Sequence, residues 1–251
     1  MQYRRLALLV AVVTFLRLPA SFAQATVFGS FEYERFSRDV DPWKLATFEL
    51  SGKSERGTLI GRVEEARRFS QSGTLFEVDA YPQFSKSTYA YLNLGGSSSS
   101  ILPHRRYGAE LFHGFTNSWE VSGGARRVDF GGPSTIYTGS IGKYQGNYWA
   151  AVRPWVVDRG GDRLNAVSVV MRRYFATADD YVGLEAQAGQ TPADPAVARE
   201  LGLARWSGGV QGQHLVGSIL LRGRIAVESI NAGSGMTRRG TIASAGIGRR
   251  F

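Results

Sequence analysis

Arg239-Gly-Thr-Ile-Ala-Ser-Ala-Gly-Ile-Gly-Arg-Arg-Phe251 is the stretch on which the fold turns. Counted back in twos from the terminus, Phe251, Arg249, Ile247, Ala245, Ala243 and Thr241 share one face. Arg250, Gly248, Gly246, Ser244 and Ile242 share the other, which is mostly small or polar. A period of two marks a strand whose two faces meet different surroundings. Two architectures accept such a strand: the edge of a soluble sandwich, or a closed barrel with lipid outside and water inside. The remainder of the chain has to separate them.

Further back, the same alternation recurs. Val27-Phe-Gly-Ser-Phe-Glu-Tyr-Glu34 sets Val27, Gly29, Phe31 and Tyr33 against Ser30, Glu32 and Glu34, and Arg38-Asp-Val-Asp-Pro42 ends it. Alternating segments then cover residues 43–51, 58–67, 74–82, 88–94, 105–115 and 119–128. A second series covers 135–144, 148–157, 164–175, 181–189, 203–213, 218–230 and 239–251. The pattern predicts an all-β chain of about 14 antiparallel strands (range about 12–16), each about ten residues long, which is the length of a tilted transmembrane strand. No segment has the period of an amphipathic helix, and Pro195 to Leu201 offers at most one turn within a loop.

Loop lengths carry independent information. If the first strand rises from the periplasm, residues 52–57, 83–87, 116–118, 145–147, 176–180 and 214–217 connect strands on that side. Residues 95–104, 158–163, 190–202 and 231–237 connect them on the other, and these are longer. Short turns at one end and longer loops at the opposite end are the habit of transmembrane barrels, and a soluble sandwich has no reason to sort its loops so. The same parity returns Phe251 to the periplasmic end beside the first strand. Trp43, Tyr107, Trp119, Tyr144, Tyr148, Trp155, Tyr181 and Trp206 lie near strand ends, where aromatic girdles are expected.

The composition fits. The chain has 31 Gly and 12% aromatic residues, and with no Cys it has no disulfide or thiolate metal site. Residues 1–23 read as a cleaved signal peptide: Arg4-Arg5, an apolar run from Leu6 to Leu16, then Ser21-Phe22-Ala23. Ala23-Gln24-Ala25 offers a second cut. The run is shorter than the roughly 20 residues a membrane-spanning helix needs. Its removal takes Arg4, Arg5 and Arg17, and no acid, from a chain of net charge +9. The expected division is thus a signal peptide over 1–23 and a barrel over 24–251.

A strand that ends on Phe as the last residue resembles the terminal strand of outer-membrane β-barrels, which implies that Phe251 is the signal read by the barrel assembly machinery. Arg249 departs from that pattern, and at a membrane rim it can snorkel. A more specific resemblance lies in Leu102-Pro-His-Arg-Arg-Tyr-Gly-Ala-Glu-Leu-Phe-His113, Trp119-Glu-Val-Ser-Gly-Gly-Ala-Arg-Arg127 and Ile136-Tyr-Thr-Gly-Ser-Ile-Gly-Lys-Tyr-Gln-Gly-Asn-Tyr-Trp149. Arg153-Pro-Trp155 and Arg172-Arg-Tyr-Phe-Ala-Thr-Ala-Asp-Asp-Tyr-Val-Gly183 extend it. These resemble the YaiO family of outer-membrane barrels over residues 26–251, most closely between Tyr89 and Gly189. The resemblance implies an outer-membrane location and supplies no substrate.

Catalytic and metal chemistry find little support. His104, His113 and His214 are not spaced as metal ligands, and no Ser or carboxylate is evidently matched to any of them. Gly95-Gly-Ser-Ser-Ser-Ser100 lacks the Lys-Ser/Thr and the helix that a phosphate cradle needs. No cofactor and no metal are expected, and the chain reads as a non-enzyme.

The inward register is richer. Glu32, Glu34, Glu49, Glu64, Glu77 and Asp79 line the early wall, relieved by Arg62. Arg126, Arg153, Arg172, Arg222 and Arg224 line the later wall with Glu185 and Glu228, while Glu110 and Glu120 lie between. Such arcs either pair across the lumen and fill it or face each other through water in a pore; a simpler account is that any wetted lumen is polar. At the long-loop rim, Arg67, Arg105, Arg127 and Arg239 are the outward members of Arg pairs. They are candidates to bind lipopolysaccharide phosphate, with ordinary solvated strand ends as the competing account. The expectation is a monomeric, porin-like channel or exporter for a hydrophilic solute, a saccharide among the candidates. A closed structural or receptor barrel is the alternative, and a lipid-modifying enzyme the third. Outer-membrane lipid and lipopolysaccharide are the expected partners, and nucleic acid is not.

Overall fold

The computed structural model describes residues 23–37, 41–68, 70–190, 205–231 and 237–251. Fourteen strands form one closed antiparallel barrel, each paired with its neighbours in sequence, and β1 pairs with β14 to close it. They are β1 (Gln24–Phe36), β2 (Trp43–Ser54), β3 (Gly57–Arg68), β4 (Gln71–Pro82), β5 (Thr88–Gly96), β6 (Arg105–Gly114) and β7 (Trp119–Asp129). The circuit continues with β8 (Pro133–Gln145), β9 (Tyr148–Arg159), β10 (Asp162–Tyr174), β11 (Tyr181–Gly189), β12 (Arg205–Val216), β13 (Ile219–Asn231) and β14 (Thr237–Arg250). The signal-peptide expectation and the Pro195–Leu201 turn lie outside the described residues.

Closure removes the free edge that an open sheet of this size would expose. The seam is long: Thr26 stands opposite Arg250 and the register runs unbroken to Phe36 opposite Gly240. The start of β1 and the end of β14 therefore sit at one end of the barrel, the terminal end; the opposite end is the loop end. Period-two alternation of burial is clearest on β14. On β14, Gly248 and Ile242 are buried on the inner face while Ile247, Ala245 and Ala243 are exposed on the outer face. The outer face is a band of exposed apolar side chains that includes Phe31, Phe48, Leu94, Ile141 and Ile225. Such a band is stable only against hydrocarbon.

The loops are sorted less cleanly than their sequence suggests. β9 runs to Arg159 and β10 restarts at Asp162, so the expected 158–163 loop is a two-residue turn. Gly160 and Gly161 both have positive φ (63° and 103°), which lets the turn follow the strand twist. Strand β3 likewise reaches Arg68 and β4 restarts at Gln71. At the loop end, residues 97–104 form the longest fully described connection.

That connection does not extend outwards. Ile101 and Leu102 are buried against Leu45, Ala66 and Leu75, which are inner-face residues of β2, β3 and β4. Ser97 Oγ donates to the Thr74 carbonyl at 2.6 Å, and Ser100 Oγ donates to Gln71 at 2.8 Å, which pins the segment to the start of β4. Gly73 is what lets it lie there: a Cβ at Gly73 would stand 2.2 Å from Ser99 Oγ and 3.2 Å from a Leu102 methyl. A second apolar cluster, Val128, Ile136, Trp155, Val157 and Ala166, lines the inner face of β7–β10 and packs with Phe130 and Leu164.

Candidate functional site

The 11 residues read as lumen-facing all lie on the inner face. Their strands alternate in phase with buried neighbours such as Phe28, Leu75, Val128, Trp155 and Leu220. What the sequence does not convey is how they pair. Among the described residues, charges neither span the lumen nor stand unpaired in two arcs; most are neutralised along the wall, by partners one to three strands away.

Arg62 on β3 is the centre of the first group. Its Nη1 donates to Glu77 Oε1 at 2.5 Å and to Asp79 Oδ2 at 3.1 Å, and its Nη2 reaches Glu49 Oε2 at 3.2 Å. Arg106 Nη1 contacts the other Glu77 oxygen at 2.7 Å. Asp79 also accepts from Tyr91 Oη at 3.1 Å and Asn93 Nδ2 at 2.6 Å. Glu77, Asp79 and Arg106 are almost wholly buried, so this network is tolerable only because the charges are paired and hydrogen-bonded.

Glu110 on β6 centres the second group, and it too is buried. Its Oε1 accepts from Arg153 Nη1 at 2.6 Å and from Ser122 Oγ at 2.5 Å, while Oε2 lies 3.8 Å from Arg126. The Arg126 and Arg153 guanidinium groups stand 5.5 and 5.4 Å from the Trp155 ring centre, and Arg126 also covers Tyr91 at 4.9 Å. Stacking on an aromatic face holds a guanidinium in place without using its donors. Between these groups is a cavity of about 330 Å³, lined by four Arg, four carboxylates, Tyr81, Tyr91 and Phe112.

The other candidates form separate contacts. Arg224 bridges Glu185 on β11 at 2.6 Å and Glu32 on β1 at 3.4 Å. Glu34 and Glu228 approach each other over Gly240, whose Cβ would lie 3.2 and 3.1 Å from their carboxylate oxygens, and Arg205 contacts Glu228 at 3.0 Å. Arg222 covers the Phe28 ring, and Arg172 lies against Trp149 and Tyr181. Glu64 lines the same cavity as Arg62.

Several sequence expectations need correction. Trp43, Trp155 and Tyr181 are not girdle residues: their strand parity turns them inwards, and Trp43 and Trp155 are buried. Tyr144 has inner parity at the terminal rim, 6.2 Å from the Trp149 ring. Tyr107, Trp119, Tyr148 and Trp206 do face outwards. Arg106, Tyr91 and Asn93 were missed. Parity alone would have turned Arg106 inwards beside its outward neighbour Arg105.

His214 does have a carboxylate partner. It lies on β12, not in a turn, and its Nδ1 is 2.8 Å from Asp180 Oδ1. Asp180 sits in the 175–180 turn, outside the spanning strands. Its carboxyl is held below the usual range chiefly by the Leu215 N–H, and then by the Thr177 hydroxyl and by His214. The Thr177 hydroxyl bonds to the carboxylate, not to the imidazole. A nucleophile in a triad must stand on the far nitrogen of the histidine, so this is an anchoring arrangement. Arg250 Nη2 contacts Asp179 in the same turn at 2.8 Å.

At the loop rim, Arg67, Arg105, Arg127 and Arg239 are exposed on the outer face. At the terminal rim Phe251 is exposed; its N–H donates to the Ala25 carbonyl at 2.8 Å, and Arg249 covers its ring.

Comparison with known proteins agrees with this architecture. The outer membrane protein Omp33 of Acinetobacter baumannii superposes with a TM-score of 0.54 at 14% identity, over 93% of this chain and 100% of that one. OpdO and OpdQ of Pseudomonas aeruginosa each give 0.51, at 11% and 7% identity; the coverage is 91% and 93% of this chain and 96% and 99% of theirs. Likeness at such identity is likeness of fold. No curated protein matches the chain in sequence. The model of the YaiO membrane beta barrel domain matches residues 25–194, which takes in β1 to β11. That match covers more than half of a chain whose strands close into just such a barrel: the protein is an outer-membrane barrel of the YaiO membrane beta barrel family.

Proposed function

We propose that the barrel is a passive, monomeric channel for a small hydrophilic solute, with its loop end at the cell surface and both termini in the periplasm. The observation that carries this reading is the lateral pairing of the inner charges. Because Arg62, Arg106, Arg153 and Arg224 find carboxylates along the wall, none needs to reach across the lumen, and a polar cavity of about 330 Å³ stays between the first three. Ligand-sized cavities begin near about 300 Å³. Paired donors and acceptors beside Tyr81, Tyr91 and Phe112 suit a hydroxyl-rich solute better than an ion, because most of the wall's charge is already neutralised. No catalytic step is assigned, since Thr177 stands on the wrong side of the Asp180–His214 pair for a nucleophile.

The second reading, a closed structural or receptor barrel, draws on the inserted Ile101-Leu102-Pro103 segment, all three residues of which are buried. Single-channel recording of the purified barrel in a planar bilayer distinguishes the two. Discrete steps that shorten when a permeating sugar is added support the channel. A silent wild-type protein whose loop-displaced variant is also silent supports the closed barrel.

A further inference from the structure

The outer face at the seam carries a hollow. Directly opposed residues across five strands are Phe31 on β1, Ala245 on β14, Gly223 on β13, Gly212 on β12 and Val182 on β11. Three small residues between two large ones leave an apolar groove of about 610 Å³, walled also by Tyr33.

Neither glycine is required by the sheet. Neither is among the glycines with positive φ, and the ladder is continuous through both. A Cβ at Gly223 would meet only the Ser244 carbonyl at 3.8 Å, and one at Gly212 only the Tyr181 carbonyl at 3.4 Å, both ordinary contacts. Glycine inside a strand weakens it, and where no bulge or bend needs it, it marks a place where something approaches the backbone closely.

Cations stand beside the groove on the same face, towards the loop end. Lys44 is opposite Tyr33 and Arg67 is opposite Lys44. Arg35 lies two residues beyond Tyr33, and Arg239 two beyond Thr241, the residue opposite Arg35. All four are exposed, and among the described residues none has an ion-pair partner. Glu65 is the carboxylate facing the same way from the described parts of β14 and β1–β3. Arg105 and Arg127 are placed differently: Arg105 stands opposite Asp129, and Arg127 donates to Thr135.

We propose that the groove and these cations form one site for a lipopolysaccharide molecule, an acyl chain lying over Gly212 and Gly223 and a head-group phosphate held by Arg35 and Arg239. From Phe31 to Arg35 the strand rises about 13 Å. Half of a hydrocarbon core about 30 Å thick is about 15 Å, so a chain hanging from Arg35 passes over the glycines. Guanidinium groups suit phosphate through paired hydrogen bonds. This site rests on the reading that the loop end faces the cell surface. It reduces the rim candidates to one sector, keeping Arg67 and Arg239 and excluding Arg105 and Arg127.

The test uses the full mature barrel and the lipopolysaccharide that co-purifies with it, counted per barrel by native mass spectrometry. Gly212→Leu/Gly223→Leu fills the groove, Arg35→Gln/Arg239→Gln removes the head-group contacts, and Arg105→Gln/Arg127→Gln is the control. Heat-dependent gel mobility confirms that each is folded. The expected result is at least a fivefold loss of retained lipopolysaccharide in each of the first two and wild-type retention in the control. Unchanged retention in the groove-filled barrel, or an equal loss in the control, overturns the site. Orientation is read separately with a membrane-impermeant maleimide on intact cells expressing Ser100→Cys or Gly217→Cys. Labelling of Gly217→Cys alone reverses the barrel. That result, or preference for phosphatidylglycerol in detergent competition, overturns the choice of lipid.

Discussion

The guanidinium of Arg153 on β9 passes over two strands to reach Glu110 on β6 at 2.6 Å. Glu110 is buried to a degree at which an unpartnered carboxylate is costly. Arg153→Met should therefore destabilise the barrel by about 1–3 kcal/mol, while Arg153→Met/Glu110→Gln recovers most of the loss. Thermal unfolding followed by gel mobility gives both numbers. Equal destabilisation in the single and double variants would show that Arg153 acts through its packing on Trp155, not through the carboxylate.

Gly73 permits the inward course of residues 97–104, so Gly73→Val should displace that segment and leave the strand ladder intact. Ser99 is a short side chain with its Cβ already in the way, so the loop itself has to move. Single-channel conductance is expected to rise at least twofold with folding unchanged. A variant that folds normally and conducts as the wild type does would mean that the bottleneck is elsewhere.

Deletion of Phe251 should lower the amount of barrel in the outer membrane severalfold and change melting little. Its ring is exposed, and its removal takes away one backbone exchange with Ala25 and a rim contact with Arg249. Normal levels in outer-membrane fractions would contradict the role of the terminal aromatic in assembly.

Acid should loosen the 175–180 turn. Asp180 is held below the ordinary carboxyl range in the folded protein, so its contribution is present above the unfolded value of about 3.9 and is lost as pH falls through the lower, folded value. Protease cleavage within the turn should increase over that window in the wild type. Asp180→Asn should be cut readily at pH 7, with a flat pH response. A wild-type turn equally resistant above and below the window would separate Asp180 from its anchoring.

Much of the architecture is legible because a barrel wall has only two faces. The alternation from Phe251 back to Thr241 sorts β14 correctly, and the same count turns Glu77, Glu110 and Arg153 inwards. Pairing is less legible because it depends on register between strands. Arg153 and Glu110 are 43 residues apart, and His214 and Asp180 are 34. Neither separation has a local signature. The inserted loop is hidden for a different reason: four serines precede Ile101-Leu102-Pro103, and a polar run masks the apolar group that the inner wall buries. Trp43 and Trp155 mislead because a position near a strand end says nothing about which face a ring occupies.

The backbone exchange between Ala25 and Phe251 makes the start of β1 and the end of β14 neighbours. The wall is then a ring without a privileged starting point, and the order in which the ribosome delivers its strands is separable from the shape they enclose. A circular permutant opened at Gly146-Asn147, with its old ends joined by a short flexible linker, keeps each ladder of the barrel and loses its terminal aromatic. Refolded in detergent it is expected to close; expressed in a cell it is expected to fail to reach the outer membrane.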